Sequence, residues 1–310
     1  MAIDIEKYRE RGLSRAEIVK NLKEAYTLVS PLTNMPYVEC EKENYNDRTL
    51  LFASKATADR TAADYEDDGV RVNVKELRTV EIYAPVKGET AEPQRKKLYL
   101  NQVRQHLGIL PFIGTNEVYY YPADGDAYAV PLRDLLPEGF EKKVAENPLY
   151  QPNLQLTGLY LMQEARRKKE WVDQRQLQAL DEEFSSNLAK SRLFIALIPP
   201  EGKEKEQKLD LKECRLPYLK HQNGQTYFPL FTDVWEFQKY TKGKKNIRSI
   251  QVPFQDVLKF RSKDVGAYML NPLGFSLPLS TEMIPRILQR FGVESGPAKT
   301  TKPEKPSGEG

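Results

Sequence analysis

Two acids three residues apart, Asp233 and Glu236, stand where an apolar run turns abruptly aromatic in YFPLFTDVWEFQKY, residues 227–240. That spacing serves a helix start. A carboxylate just before a helix accepts from the free backbone donors of the first turn, and an acid three residues on reaches back to the cap. Capping explains why the strand stops: a helix begins at Val234. Val234, Phe237 and Tyr240 then recur at threes, so part of the aromatic set must lie against the sheet, as core.

Asn271-Pro272 closes another apolar run and admits two readings: an amide exposed at a strand end, where open α/β sheets bind ligands, or a side chain that holds its own turn. Tyr119, Tyr120 and Tyr121 alternate across a strand, which sends at least one towards a partner or towards solvent. The candidate ligand- or partner-binding set is therefore Thr232, Asp233, Trp235, Asn271 and Tyr120. No catalytic residue stands out. There is no Gly-rich phosphate loop, no G-x-S-x-G, no H-E-x-x-H and no Cys-x-x-Cys. Cys40, Cys214, His106 and His221 lack the close pairing of zinc ligands. Neither metal nor cofactor is expected.

The totals bound the rest. A chain of 310 residues is long enough for two domains, each with its own core, and 40% apolar with 29% charged residues is the balance of a packed globular protein. The net charge of +3, from 47 basic and 44 acidic side chains, gives no field able to hold a phosphate backbone, so nucleic acid is not an expected partner. There is no apolar run of membrane-spanning length, and the opening MAIDIEKYRERGLSR is too charged for a signal peptide. Two cysteines fit a reducing compartment. A cytoplasmic location is expected, with no membrane association.

Periodicity supplies the elements that must position these residues. Ser14 and Glu17 have capping-box spacing, and Ile18, Leu22, Ala25 and Val29 extend one helix to Pro31. MPYVEC and TLLFAS read as a hairpin, residues 55–65 as a helix, GVRVNV and VEIYAPV as two strands, LYLNQVRQHLG as a helix, and ILPFIG with EVYYYP as a strand pair. After Pro148 and Pro152, Leu177, Leu180, Phe184 and Leu188 form a one-sided helical stripe. RLFIALIPP reads as a strand buried on both faces. CRLPYLKH and QTYFPLF flank Asn223-Gly224 as a hairpin with a two-residue turn. IRSIQV is a strand, PFQDVLKF opens a helix, AYML and FSLPL bracket the turn NPLG, and Met283, Ile284, Ile287, Leu288 and Phe291 line a last helix. The tail, residues 294–310, has no core-forming residue and is expected to be disordered.

The second half repeats the grammar of the first. MPYV (35–38) matches LPYL (216–219), LLFAS (50–54) matches PLFTD (229–233) with Phe52 on Phe231, and VRVNV falls opposite RSIQV after a one-residue slip. This order predicts an internal duplication, with an extra strand and loop in the first copy. At SRLFIALIPP, YFPLFTDVWEFQKY and YMLNPLGFSLPL, the second half resembles the SseB amino-terminal domain, a bacterial α+β module. The first half resembles a divergent copy, with PFIGTNEV where Asn-Pro would stand. The resemblance implies a fold, in a family without an established catalytic activity or cofactor.

The expected class is α+β: two related modules, each a mixed β-sheet packed with helices, plus the disordered tail. The expected boundaries are a divergent SseB-like domain at 1–137, a linker and helical connection at 138–170, an SseB-like amino-terminal domain at 171–293 and the tail at 294–310. The expected function is non-catalytic binding or regulation of the SseB type, towards a protein or a small ligand. The alternative is a hydrolase or transferase with carboxylates in a cleft.

Overall fold

The computed structural model describes residues 14–85, 95–203, 210–220, 224–260 and 266–292. The first half contains α1 (Arg15–Lys20), β1 (Glu24–Ser30), β2 (Met35–Pro36), β3 (Glu39–Cys40), β4 (Asp47–Phe52), α2 (Lys55–Asp67), β5 (Asn73–Pro85), β6 (Arg95–Asn101), α3 (Gln102–Ile109), a 3-10 turn (Leu110–Ile113), β7 (Glu117–Tyr121), β8 (Tyr128–Pro131) and α4 (Leu132–Leu135). Helices α5 (Phe140–Glu146), α6 (Pro152–Ala165) and α7 (Gln174–Ala189) follow. The second half contains β9 (Arg192–Leu197), β10 (Leu219–Lys220), β11 (Thr226–Phe231), α8 (Val234–Thr241), β12 (Arg248–Pro253), a 3-10 segment (Phe254–Phe260), β13 (Ala267–Leu270), β14 (Leu277–Ser280) and α9 (Met283–Phe291). The class is α+β, with two mixed sheets. The expected tail lies outside the described residues, as do His221 and Asn223.

The two sheets share one topology. In the first, the order is β6-β5-β1-β4-β7-β8; in the second, it is β12-β9-β11-β13-β14. Both have an antiparallel central pair, β1 with β4 and β9 with β11, then a parallel step, β4 with β7 and β11 with β13, then an antiparallel hairpin. Phe52 and Phe231 end β4 and β11 and pair with Tyr26 and Phe194, so they are equivalent positions. The extra strand of the first sheet is β6, on its outer edge.

The same register corrects two details. Tyr26 pairs with Glu76 as Phe194 pairs with Gln251, so NVKEL (73–77), not VRVNV, lies opposite RSIQV. Leu51 pairs with Tyr120 as Leu230 pairs with Leu270, so Tyr121-Pro122, not PFIGTNEV, stands where the second sheet has Asn271-Pro272.

Both sheets turn one face to a common interior. Ala25, Leu51, Leu77 and Val118 of the first sheet fall in one cluster with Leu193, Ile195, Leu230 and Leu270 of the second, and with Leu154, Leu159 and Met162 of α6. The outer faces pack separately, Leu50 and Phe52 with Ala58 of α2, and Phe194 and Phe231 with Tyr240 of α8. Residues 138–170, expected as linker and helical connection, thus hold a helix that is buried around most of its circumference, all but the face of Asn153, Leu156, Tyr160 and Gln163. Gly158 permits this, because a Cβ there would stand 2.7 Å from Cε1 of Phe275.

Several local expectations change. The Ser14–Glu17 capping box forms, but α1 ends at Lys20 and residues 24–30 are a strand. Tyr26, Thr27 and Val29 suit a pleated surface, and pairing on both edges outweighs the helical spacing. GVRVNV and VEIYAPV contribute to one continuous strand, β5, which starts at Asn73. LYLN is strand, and Asn101 caps α3 by accepting from the Arg104 amide at 3.1 Å. ILPFIG is not a strand: its Leu110–Ile113 is a 3-10 turn, and β7 pairs with β8 instead. The hairpin at β10 and β11 forms, with Leu219–Tyr227 and Lys220–Thr226 as its described pairs, a register one residue off the Lys220–Tyr227 pairing that the expected two-residue turn at Asn223-Gly224 requires.

Candidate functional site

Three elements bring their ends together beside α6. Thr232 follows strand β11, Asp233 caps α8, and Asn271 follows β13; all three side chains are fully buried. Asp233 Oδ1 accepts from the Glu236 backbone N–H at 2.9 Å, which is the predicted cap. Glu236 does not reach back to the cap. It turns inwards, 1% exposed, where Lys239 Nζ donates to Oε1 at 2.6 Å. An acid one turn ahead of a lysine makes this pair natural on a helix.

Asn271 neither opens to solvent nor holds its own turn by its side chain. Its Oδ1 accepts from the Thr232 backbone N–H at 2.9 Å, and its Nδ2 donates to the Thr232 hydroxyl at 2.9 Å. Its left-handed φ of 49° is one that asparagine tolerates, and its carbonyl accepts from Gly274 and Ser276 to close the turn.

Gln155 of α6 completes the cluster. Its Nε2 lies 3.0 Å from the Thr232 hydroxyl, 2.8 Å from Asp233 Oδ2 and 3.2 Å from Glu236 Oε1. One turn earlier, Gln151 donates to the Arg192 and Thr232 carbonyls. The network is a clasp that docks α6 on the second sheet. Burial raises the pKa of both acids; bonds from Glu236 N–H, Gln155 and Thr232 oppose this at Asp233, and the Lys239 charge opposes it at Glu236. Glu236 Oε2 is buried without a hydrogen-bond partner among the described residues.

Over this clasp lies an aromatic seam that crosses between the halves. Trp235 is half-buried, with Lys239 Nζ 4.3 Å from its ring centre and Phe112 at 6.5 Å between centroids. Phe112 also meets Tyr150 at 4.6 Å and Phe140 at 6.0 Å. Leu149 beside Tyr150 is 42% exposed, and its carbonyl accepts from Val234 at 3.1 Å.

Residues 171–285 match the family model of the SseB protein N-terminal domain. The matched span contains α7, the whole second sheet and α8, so the clasp residues Thr232, Asp233, Glu236 and Asn271 lie inside it, while Gln155 and the first sheet lie outside. Two solved structures pair with most of the chain. Anabaena Tic22, described as a protein-transport protein, is 8% identical, with 89% of this chain and 98% of that one covered and a TM-score of 0.19. Tic22 from Plasmodium falciparum is 11% identical, with 88% and 95% covered and a TM-score of 0.17. Likeness at that level carries no argument about fold or function. No curated protein matches the chain.

Of the five predicted residues, Thr232, Asp233 and Asn271 come together and Trp235 lies over them. Tyr120 does not join them. It is 1% exposed, edge-on to Tyr128 at 5.5 Å, because its strand is covered on the face expected to be free. Thr232, Asp233 and Asn271 are likewise unreachable, since their polar atoms are spent on one another. Gln155 and Lys239 were missed. A helix buried around most of its circumference has no narrow apolar stripe against which a polar core residue stands out. A cavity of about 510 Å³ opens elsewhere, between Tyr37, Tyr45 and Asp47 and the helical residues Tyr160, Gln163 and Glu183, and none of the five lines it. Among the described residues no helix is long and apolar enough to cross a membrane.

Proposed function

We propose that this chain is a non-catalytic, cytoplasmic binding protein of the SseB type, which recognises a partner at the Trp235 surface. The single observation that supports it is the half-buried seam of Trp235, Phe112 and Tyr150 on a support that cannot yield. Thr232, Asp233 and Asn271 act from beneath, by fixing the start of α8 against β13 and α6. Rigid aromatic rings beside a cation are the groups that contribute most to partner affinity, because they bury much area with little loss of freedom.

Affinity capture from the native lysate, wild type against Trp235→Ala, with mass spectrometry of proteins and metabolites, tests this reading. A species retained only by the wild type supports it. Equal retention by both removes the site.

One observation favours the enzyme reading: Asp233 and Glu236 are close together, with both pKa values raised. Both are sealed from solvent at 0 and 1% exposure, so a substrate has no path to either in this conformation. Turnover by the wild type that disappears in Asp233→Asn, with folding intact, is the result that would restore it.

A further inference from the structure

We infer that the cavity of about 510 Å³ between the β3–β4 hairpin and helices α6 and α7 binds a small organic cation, an ammonium or guanidinium on an apolar stem. Trp235 does not line it, so this is a second site and rests on separate observations. Its volume suits a small molecule taken whole, and every lining residue is among the described ones.

The walls are held in place by their own bonds. Gln163 of α6 clamps Val38: its Oε1 accepts from the Val38 N–H at 3.1 Å, and its Nε2 donates to the Val38 carbonyl at 2.8 Å. Glu164 Oε1 accepts at 2.9 Å from the N–H of Asp173, the cap of α7. Binding to walls so fixed loses little to ordering.

The charges set the sign of the ligand. Four acids line the cavity, Glu39, Asp47, Glu164 and Glu183, with one base, Arg167. Arg48 holds Glu39 at 2.7 Å, and Arg167 holds Glu164 at 3.0 Å. Asp47 and Glu183 have no basic partner among the described residues. The half-buried Asp47 accepts from the Tyr160 hydroxyl at 2.7 Å through Oδ1, which leaves Oδ2 for a ligand. Burial raises its pKa and the Tyr160 bond opposes this; a cation alongside would favour the ionised form further.

The uncharged lining fits the same chemistry. Tyr37, Tyr45 and Tyr160 supply ring faces that attract a cation, and Val70, Leu156 and Leu180 supply apolar surface for its stem. Tyr45 has a left-handed φ of 56°, which a bulky residue seldom adopts, and its N–H donates to the Glu41 carbonyl at 2.9 Å to close the turn. Its ring is 77% exposed and belongs to none of the three core clusters, so packing does not account for its place at the cavity.

The test titrates the full-length chain with pentylamine and butylguanidine, with pentanol and pentanoate as neutral and anionic controls. A short acetylated peptide with one central lysine presents the same cation on a protein. The expected results are saturable binding of the two small cations alone, and slower iodoacetamide alkylation of the exposed Cys40, which lines the cavity, with Cys214 unaffected. Asp47→Asn, which still accepts from Tyr160, should weaken binding at least about tenfold, and Glu183→Gln about threefold. Asp181→Asn, at an exposed acid of α7 outside the cavity, should leave it unchanged. Unfolding transitions show that each variant folds, and Glu183→Gln decides alone if Asp47→Asn does not. Four results overturn the inference: no saturable binding, controls bound as well as the cations, Cys40 left unprotected, or folded variants that bind as the wild type does. A peptide bound more tightly than the free amines overturns it too, and makes a protein's lysine the occupant.

Discussion

Gly274 lies against the carboxylate of Glu236: a Cβ at Gly274 would stand 2.8 Å from Oε1 and 2.9 Å from Oε2. The glycine is there for space, since the turn after Asn271 passes directly over the buried acid. Gly274→Ala should therefore push the carboxylate off Lys239 and Gln155 and cost about 2 kcal/mol in urea unfolding. A variant as stable as the wild type would mean that the turn has room to move away.

Gln155 should matter more for stability than any other polar residue of α6. Gln155→Leu keeps the volume but takes the amide from Asp233, Glu236 and Asn271 together. A loss of about 3 kcal/mol is expected, from buried groups left without partners. Denaturant unfolding measures it, and a loss under about 1 kcal/mol would mean that water or a neighbour replaces the amide.

Lys239→Met should be destabilising in a pH-dependent way. Both Asp233 and Glu236 have folded pKa values raised by burial, so their protonated forms favour the fold. That contribution is present below the ordinary carboxylate range and is lost as pH rises through the raised values. Without the lysine, Glu236 is pushed further up, so the variant should lose more stability near pH 7, about 3 kcal/mol, than near pH 4. Equal losses at both would show that the lysine acts through packing on Trp235 alone.

His106 gives the opposite slope. It is fully enclosed in the first half, 3.5 Å from the Thr27 hydroxyl, and burial holds its pKa down to about 4, from 6.5. With the folded pKa below the unfolded one, its contribution is complete above pH 6.5 and is lost as pH falls towards 4, by about 3 kcal/mol in all. Unfolding measured across that range should show the decline in the wild type and a flatter profile in His106→Gln. An unchanged profile would assign the decline to other groups.

Much of this molecule was legible in its sequence where the signal was local. The Asp233 cap, the doubly buried β9, the NPLG turn and the Phe52–Phe231 correspondence each rest on a few adjacent residues, and each stands. Residues 24–30 were lost because a helical spacing coincided with strand-forming side chains, and only the pairing of β1 on both edges decides between them. Residues 152–165 were expected within a linker and helical connection, and what was lost was their burial: a helix with core on most of its circumference shows no narrow apolar stripe to mark it. With that helix went Gln155, and with Gln155 the meaning of Asp233 and Asn271. Typed as groups for a partner, they are buried and spent on one another, and of the predicted set only Trp235 keeps an exposed part.

Under the proposed function, recognition belongs to the Trp235 surface and stability to the clasp beneath. Capture from the native lysate, wild type against Trp235→Ala at equal folded fraction, separates the two most directly. A protein or metabolite held by the wild type and absent from the variant is the expected result. The same species held equally by both would contradict it.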